Sequence, residues 1–285
     1  MENTMRHPLT PARLTLLPML LACGLAALAQ APTAKPHPVP PSANTDKLAE
    51  IRKSGKLRVG VAQMVPWAMH DKDGKLIGFS IDVARKLARD MGVEVEFHPT
   101  EFRYLIPDLN AGRFDIIISG FSIEPDRALL VDFSDPYYTT DVTLAGNIKT
   151  TGGFKTLQEF NKPTLTIGAL EGTTAEEMTA KLLPEAQLKT YRSDAALFGD
   201  LSQGKLDAAA ADYPRPEIVA KLFSTSVDSP PGVKLSSFPN AFAVRRGNME
   251  FVNFLNAWIA SRTANQWIDD RRAYWFTTMD WSKNL

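Results

Sequence analysis

Gly172-Thr173-Thr174 follows an apolar run and opens a stretch with helical spacing. A helix that starts there presents backbone N–H groups with no partner, and such a start binds anions. Thr173 and Glu176 also have the T-x-x-E spacing of a capping box, so the turn serves equally as a plain helix cap, and the two roles are compatible. Asp212 closes the run Leu206 to Ala211, the C-terminal end of a buried strand, where open α/β sheets gather ligand groups. Asp207, at the start of that run, has the position of a turn residue. Ser119, Gly120 and Ser122 end another apolar run and offer hydroxyl and backbone groups, although strand-end turns use the same residue types. These residues suit recognition rather than covalent chemistry. The histidines His7, His37, His70 and His98 show no metal-ligand spacing, and His70 beside Asp71 and Asp73 reads as a hairpin rim. No Ser/His/Asp or Cys/His set can be assembled, and neither a metal nor another cofactor is expected.

The elements around these residues alternate. Lys47 to Ser54 reads as a short amphipathic helix ended by Gly55, and Lys56 to Ala62 as a strand. Trp67–His70 and Leu76–Phe79 flank the turn Asp71-Lys72-Asp73-Gly74 as a hairpin. Ile81 to Met91 is a helix closed by Gly92, Val93 to Phe97 a strand, and Arg103 to Asn110 a helix closed by Gly112. Phe114 to Ser119 is nearly all apolar, as in a strand buried on both faces. A second set begins after Asp141, with strands at Leu165–Leu170, Leu188–Tyr191, Leu206–Ala211 and Asn240–Val244. Its helices are Ala175–Leu183 and Asp194–Ser202, followed by C-terminal helices over Glu250–Tyr274. The expected fold is α/β, with mainly parallel sheets flanked by helices.

Composition narrows the class. The chain has 285 residues, long enough for two lobes, and 44% hydrophobic and 22% charged residues are ordinary for a globular protein. Basic and acidic residues balance at 32 each and no basic block interleaves with aromatics, so nucleic acid is not an expected partner. Arg6, His7 and Arg13 precede the apolar run Leu14–Leu28, which ends in Ala27-Leu28-Ala29. That is the layout of a secretory signal peptide, residues 1–29. As a membrane span the run is broken by Pro18 and Gly24 and falls short of the roughly 20 residues required. Cleavage there removes Cys23, the only cysteine, and with it disulfides and thiol chemistry. Leu20-Leu21-Ala22-Cys23 also resembles a lipoprotein box, but apolar residues continue beyond it, so lipidation is the lesser alternative. Residues 30–45, rich in proline, alanine and small polar residues, read as a flexible tether.

Spaced motifs then point to a family. Gly55-Lys56-Leu57-Arg58-Val59-Gly60-Val61, Gly78-Phe79-Ser80-Ile81-Asp82-Val83-Ala84, Phe114 to Ile123, Arg127 and Val131-Asp132-Phe133-Ser134-Asp135-Pro136-Tyr137-Tyr138 occur in order. Gly172-Thr173-Thr174 and Asp207 to Asp212 follow. From about Leu48 to Trp275 the chain resembles the amino-acid-binding receptors of ATP-driven (ABC) importers, solute-binding family 3. The resemblance implies a two-lobed type II periplasmic-binding fold with the ligand in the cleft. Lobe 1 would comprise residues 46–141 and 237–285, and lobe 2 residues 142–236, with crossings near Thr139–Leu144 and Ser236–Val244. It implies a periplasmic monomer that binds a free amino acid or close analogue, hinges shut, and delivers it to a membrane permease.

The resemblance also assigns roles. A buried zwitterion needs a fixed cation and a fixed anion, because unpaired buried charge is costly. Arg127 matches the arginine that grips the ligand carboxylate with a planar fork, aided by Thr173 and Thr174. Asp212 matches the aspartate that pairs with the ammonium, and Ser119, Gly120 and Ser122 would serve the head group. Phe102 keeps the stacking aromatic, whereas Met64 stands where Tyr or Phe is usual and serves equally well as core filler. Trp67 and Leu170 would complete the wall. An acidic residue of cation-selective members aligns with Val61, which weighs against lysine or arginine. Glu171 and Tyr213-Pro214-Arg215-Pro216 are added candidates for specificity. The alternative is an enzyme on the same scaffold, similar to the cyclohexadienyl dehydratases that act on prephenate or arogenate. Their acid position, required to protonate a leaving hydroxyl, is Arg215 here, leaving Glu171 or Glu217 as substitutes. A sensor module is not expected, because neither a membrane helix nor a signalling domain follows before Leu285.

Overall fold

Asp46 accepts the Ala49 amide at 3.1 Å and Gly55 turns left-handed, and between these caps the first helix, α1, spans Lys47–Ser54. The structure, a computed structural model, describes residues 46–284, so the expected signal peptide and tether, with Cys23, His7 and His37, lie outside the described residues. After α1 come β1 (Lys56–Ala62), β2 (Met69–His70), β3 (Leu76–Ile77), α2 (Phe79–Met91), β4 (Glu94–Thr100), α3 (Leu105–Asn110), β5 (Ile116–Ile117), α4 (Pro125–Ala128) and β6 (Val131–Phe133). Next are β7 (Tyr138–Asn147), α5 (Ile148–Thr151), β8 (Thr166–Leu170), α6 (Thr174–Leu182), β9 (Gln187–Tyr191), α7 (Asp194–Ser202), β10 (Ala208–Asp212) and α8 (Arg215–Leu222). The remainder is β11 (Val227–Asp228), β12 (Lys234–Asn240), β13 (Ala243–Arg245), α9 (Met249–Ala264), α10 (Trp267–Arg272) and two short helical turns. No helix of the described residues is long and apolar enough to cross a membrane.

The strands form two main sheets. The first runs β4-β1-β5-β13-β6, and the second β11-β7-β10-β8-β9 with β12 also on β7. Each has a parallel part, β4-β1-β5 and β10-β8-β9, as the strand–helix alternation predicts. Each also has an antiparallel part: β13 against β5 and β6, and β7 against β10, β11 and β12. The chain leaves the first sheet after β6 and returns to it at β13. The start of β7 pairs with the end of β12, Tyr138 opposite Asn240 and Thr140 opposite Phe238.

The first core gathers α2 (Phe79, Ile81, Leu87) with Trp258, Ile259, Trp275 and Trp281 from the chain's far end. Burying a side chain of this size contributes roughly 1.5–3 kcal/mol. The second sheet is covered on both faces. Ala208 and Ala210 join Phe160, Ile167 and Met178 on one side, while Ala209 joins Leu197, Phe198 and Val219 on the other. The alternation of β10 thus feeds two cores.

Some elements differ from expectation. The strand expected over Phe114–Ser119 keeps only Ile116–Ile117 in its ladder. Asp115 turns to the Arg58 guanidinium at 2.6 Å, and Ser119 Oγ accepts the Ala62 amide at 2.8 Å. Backbone bonds to β1 continue on either side, from Asp115 N–H to Arg58 O at 2.9 Å and from Ile118 N–H to Gly60 O at 3.2 Å, and the two side chains add to them. The expected strand at Asn240–Val244 is divided: Asn240 ends β12, and β13 begins only at Ala243.

Candidate functional site

A cavity opens between the two sheets. Of the residues singled out above, Met64, Trp67, Phe102, Gly120, Ser122, Leu170, Thr173, Thr174 and Asp212 line it. The first sheet's loops supply the first five and the second sheet's strand ends supply the rest. Gly120 has φ +57°, and a Cβ there would meet Trp67 Nε1 at 2.9 Å, so only glycine lets the indole lie against this turn. The same nitrogen fixes the indole, Nε1 donating to Tyr138 Oη at 2.8 Å.

Asp212, the last residue of β10, projects into the cavity where its strand ends. Its carboxylate has no hydrogen-bond or ion-pair partner among the described residues. Burial pushes the group from its ordinary 3.8 up to about 7, with only the charge of Arg127 acting in the opposite direction. Partly buried and without a partner, the carboxylate gains from a cationic donor.

Thr173 caps α6: its hydroxyl accepts the Glu176 amide at 3.3 Å, while the Glu176 carboxylate accepts the Gly172 amide at 2.7 Å. The expected cap is therefore present, although the glutamate reaches Gly172 rather than Thr173. The amides of Thr174 and Ala175, in the first turn, have no intrahelical acceptor, and both residues line the cavity. A Cβ on Gly172 would lie 3.1 Å from Arg103 Cα, so this turn and the first sheet's loop meet at glycine distance.

Three expected residues stand off the cavity wall. Arg127 lies at its edge, with Nη1 donating to Ser122 O at 2.9 Å and Nη2 to Gly172 O at 3.0 Å. Its guanidinium sits over the Phe121 and Phe102 rings at 4.5 and 5.5 Å. Burial lowers its pKa, and no carboxylate among the described residues lies within ion-pair distance. Glu171 turns to the rim, where both oxygens accept from Arg103 Nη1 at 3.1 and 3.0 Å. Ser119 is fully buried beneath the wall, holding the Ala62 amide. Val61 is likewise fully buried in the first core, so it does not read a ligand side chain directly.

Sequence reading missed Asp194, Leu197, Ala175, Ala210 and Ala211 on the wall, and raised Arg215 only as an added candidate. Arg215 Nε donates to Asp194 Oδ1 at 3.0 Å, and Nη2 lies 2.7 Å from Oδ2. Burial pushes the Asp194 carboxyl up, while Arg215 and the Val65 amide pull it back. Glu217 lies off the cavity, accepting from Thr143 and Ser229 at 3.4 Å each, and burial raises its pKa. Among the described residues no cluster of side chains could hold a metal ion.

The family described as bacterial extracellular solute-binding proteins, family 3, matches residues 57–278. The L-cystine-binding protein TcyJ of Escherichia coli (strain K12) is 27% identical over 231 residues, covering 80% of this chain and 85% of that protein. Among solved structures, an ancestral amino acid-binding protein, described as a precursor of cyclohexadienyl dehydratase, has a TM-score of 0.75 and 36% identity. That match covers 81% of this chain and 99% of that one. A putative binding component of an ABC transporter from Wolinella succinogenes, complexed with lysine, has a TM-score of 0.76 and 32% identity, covering 80% and 99%.

Proposed function

Because the chain belongs to family 3 of the bacterial extracellular solute-binding proteins, we propose that it closes around one free amino acid or close analogue and delivers it to the permease of an ABC importer. The observation that carries this reading is Asp212, a carboxylate raised to about 7 by burial, partnerless, and aimed into the cavity between the sheets. An ammonium supplies the missing partner. The ligand carboxylate would meet the Thr174 and Ala175 amides and the fork of Arg127, with Ser122 beside the head group and Phe102 and Trp67 against its side chain. Two lobes, residues 46–141 with 237–285 and residues 142–236, would close about the paired segments of β7 and β12. In this reading residues 1–29 direct export and are removed, residues 30–45 remain as a tether, and the mature protein acts in the periplasm as a monomer.

A cyclohexadienyl dehydratase is among the relatives, but the cavity residues speak against that alternative. Arg215 occupies the acid position and is bound to Asp194, Glu171 is held at the rim by Arg103, and Glu217 lies outside the cavity. A guanidinium stays protonated and is a poor general acid. The test is a thermal-shift screen of the purified protein against the common amino acids, with prephenate and arogenate included. Specific binding raises the melting temperature by mass action. A screen in which no amino acid shifts the melt, followed by calorimetry that finds no binding, would sink the receptor reading.

A further inference from the structure

Two buried charges on the cavity wall have no part in the head-group contacts proposed above. Arg215 opens α8 and Asp194 opens α7, and each is 8% exposed. They meet fork to fork, at 3.0 Å from Nε and 2.7 Å from Nη2, with the guanidinium 4.5 Å from the centre of the Phe198 ring. Both line the same cavity as Asp212. Such a pair is a poor source of stability, because desolvation consumes most of the Coulombic gain. Facing a ligand, it has a different consequence.

Charge accounting gives that consequence, and it rests on the receptor reading above. Arg127 and Asp212 answer the ligand carboxylate and ammonium. The remaining wall charges, Arg215 and Asp194, already cancel. A cationic side chain would meet Arg215, and an anionic one Asp194, with no counter-ion left over. An uncharged side chain leaves every buried charge paired. The guanidinium carries five N–H groups, and only those on Nε and Nη2 are committed to Asp194. We propose that the Arg215–Asp194 pair is the specificity element of this cavity, restricting the ligand to amino acids with an uncharged side chain and favouring one that ends in a hydrogen-bond acceptor. This sets the chain apart from the relative solved with lysine.

Isosteric ligands test it. Calorimetry on the wild-type protein should rank citrulline above arginine and glutamine above glutamate, each by at least roughly 30-fold, the scale set by an unpaired buried charge. Arg215→Met leaves Asp194 as a lone anion and should narrow or reverse the first gap. Asp194→Asn is close to isosteric, leaves Arg215 as a lone cation, and should do the same to the second. Each variant is decisive alone, provided its melting curve shows that it folds. Arginine or lysine bound as tightly as citrulline by the wild type would overturn the specificity role while leaving the receptor standing. So would unchanged rankings in a folded variant. No binding of any amino acid would remove both readings together.

Discussion

Asp212 makes ligand affinity depend on pH in a calculable way. In the empty cavity burial raises its carboxyl from 3.8 to about 7, a displacement worth on the order of 4 kcal/mol. Below about pH 7 the empty cavity therefore holds the protonated acid. A bound ammonium requires the carboxylate, so binding expels that proton. Affinity should rise about tenfold per pH unit up to about pH 7 and then level off, so that binding at pH 5 is roughly 100-fold weaker than at the plateau. The ligand's own carboxylate and ammonium do not titrate in this window. Calorimetry in two buffers of different ionisation heat counts the proton directly: close to one released at pH 6 and close to none above pH 8. Asp212→Asn should bind weakly and with a flat profile, which separates Asp212 from Asp194. A wild-type protein that binds its ligand with constant affinity and no proton release from pH 5 to 7.5 would refute the assignment of Asp212 as the ammonium's partner.

Arg127→Ala should weaken binding tens- to thousands-fold, the consequence of ~2–5 kcal/mol for one lost partner of a buried charge, without lowering the melting temperature of the unliganded protein appreciably. Near-wild-type affinity by calorimetry would remove Arg127 from the site. Glu171→Gln breaks a half-exposed rim pair with Arg103 and should change the ligand dissociation rate less than about fivefold in stopped flow. Solution scattering should show a smaller radius of gyration with saturating ligand, and an unchanged radius with binding confirmed in parallel would count against hinge closure. Purified protein incubated with prephenate or arogenate should form no phenylpyruvate or phenylalanine above the buffer rate. Turnover lost on Glu171→Gln or Glu217→Gln would reverse that expectation.

Where local chemistry sets an element's ends, the sequence is easily read. Helix α1 lies between Asp46 and Gly55, and α7 follows Ser193, whose hydroxyl accepts the Ala196 amide at 3.3 Å. Both ranges are legible residue for residue. By contrast β12, Lys-Leu-Ser-Ser-Phe-Pro-Asn, is polar, contains Pro239 and pairs along its length with β7, so neither alternation nor a long apolar run marks it as a strand. Helix α8 is hidden by Pro214 and Pro216, which read as loop although proline suits a first turn. In the site, Asp212 and Thr174 are legible because strand ends and helix starts have recognisable signatures. The contact of Asp194 with Arg215 is not. It joins the starts of two helices through tertiary packing, and the only local feature at Asp194 is a helix cap.

The place of β13 in the first sheet governs when that sheet can form. It sits between β5 and β6, yet comes from residues 243–245, and the core beneath is completed by Trp258, Trp275 and Trp281. The amino-terminal half of the chain thus cannot finish its own sheet while it emerges first from a ribosome or a membrane pore. It must wait, open-edged, for the last residues to arrive. Such long-range closure slows folding. Delay would suit the export proposed above, in which the chain is threaded across a membrane before it compacts. Pulsed hydrogen exchange during refolding would show β1 and β13 amides gaining protection in one phase. Early protection of β1 alone would show that the amino-terminal strands do not wait.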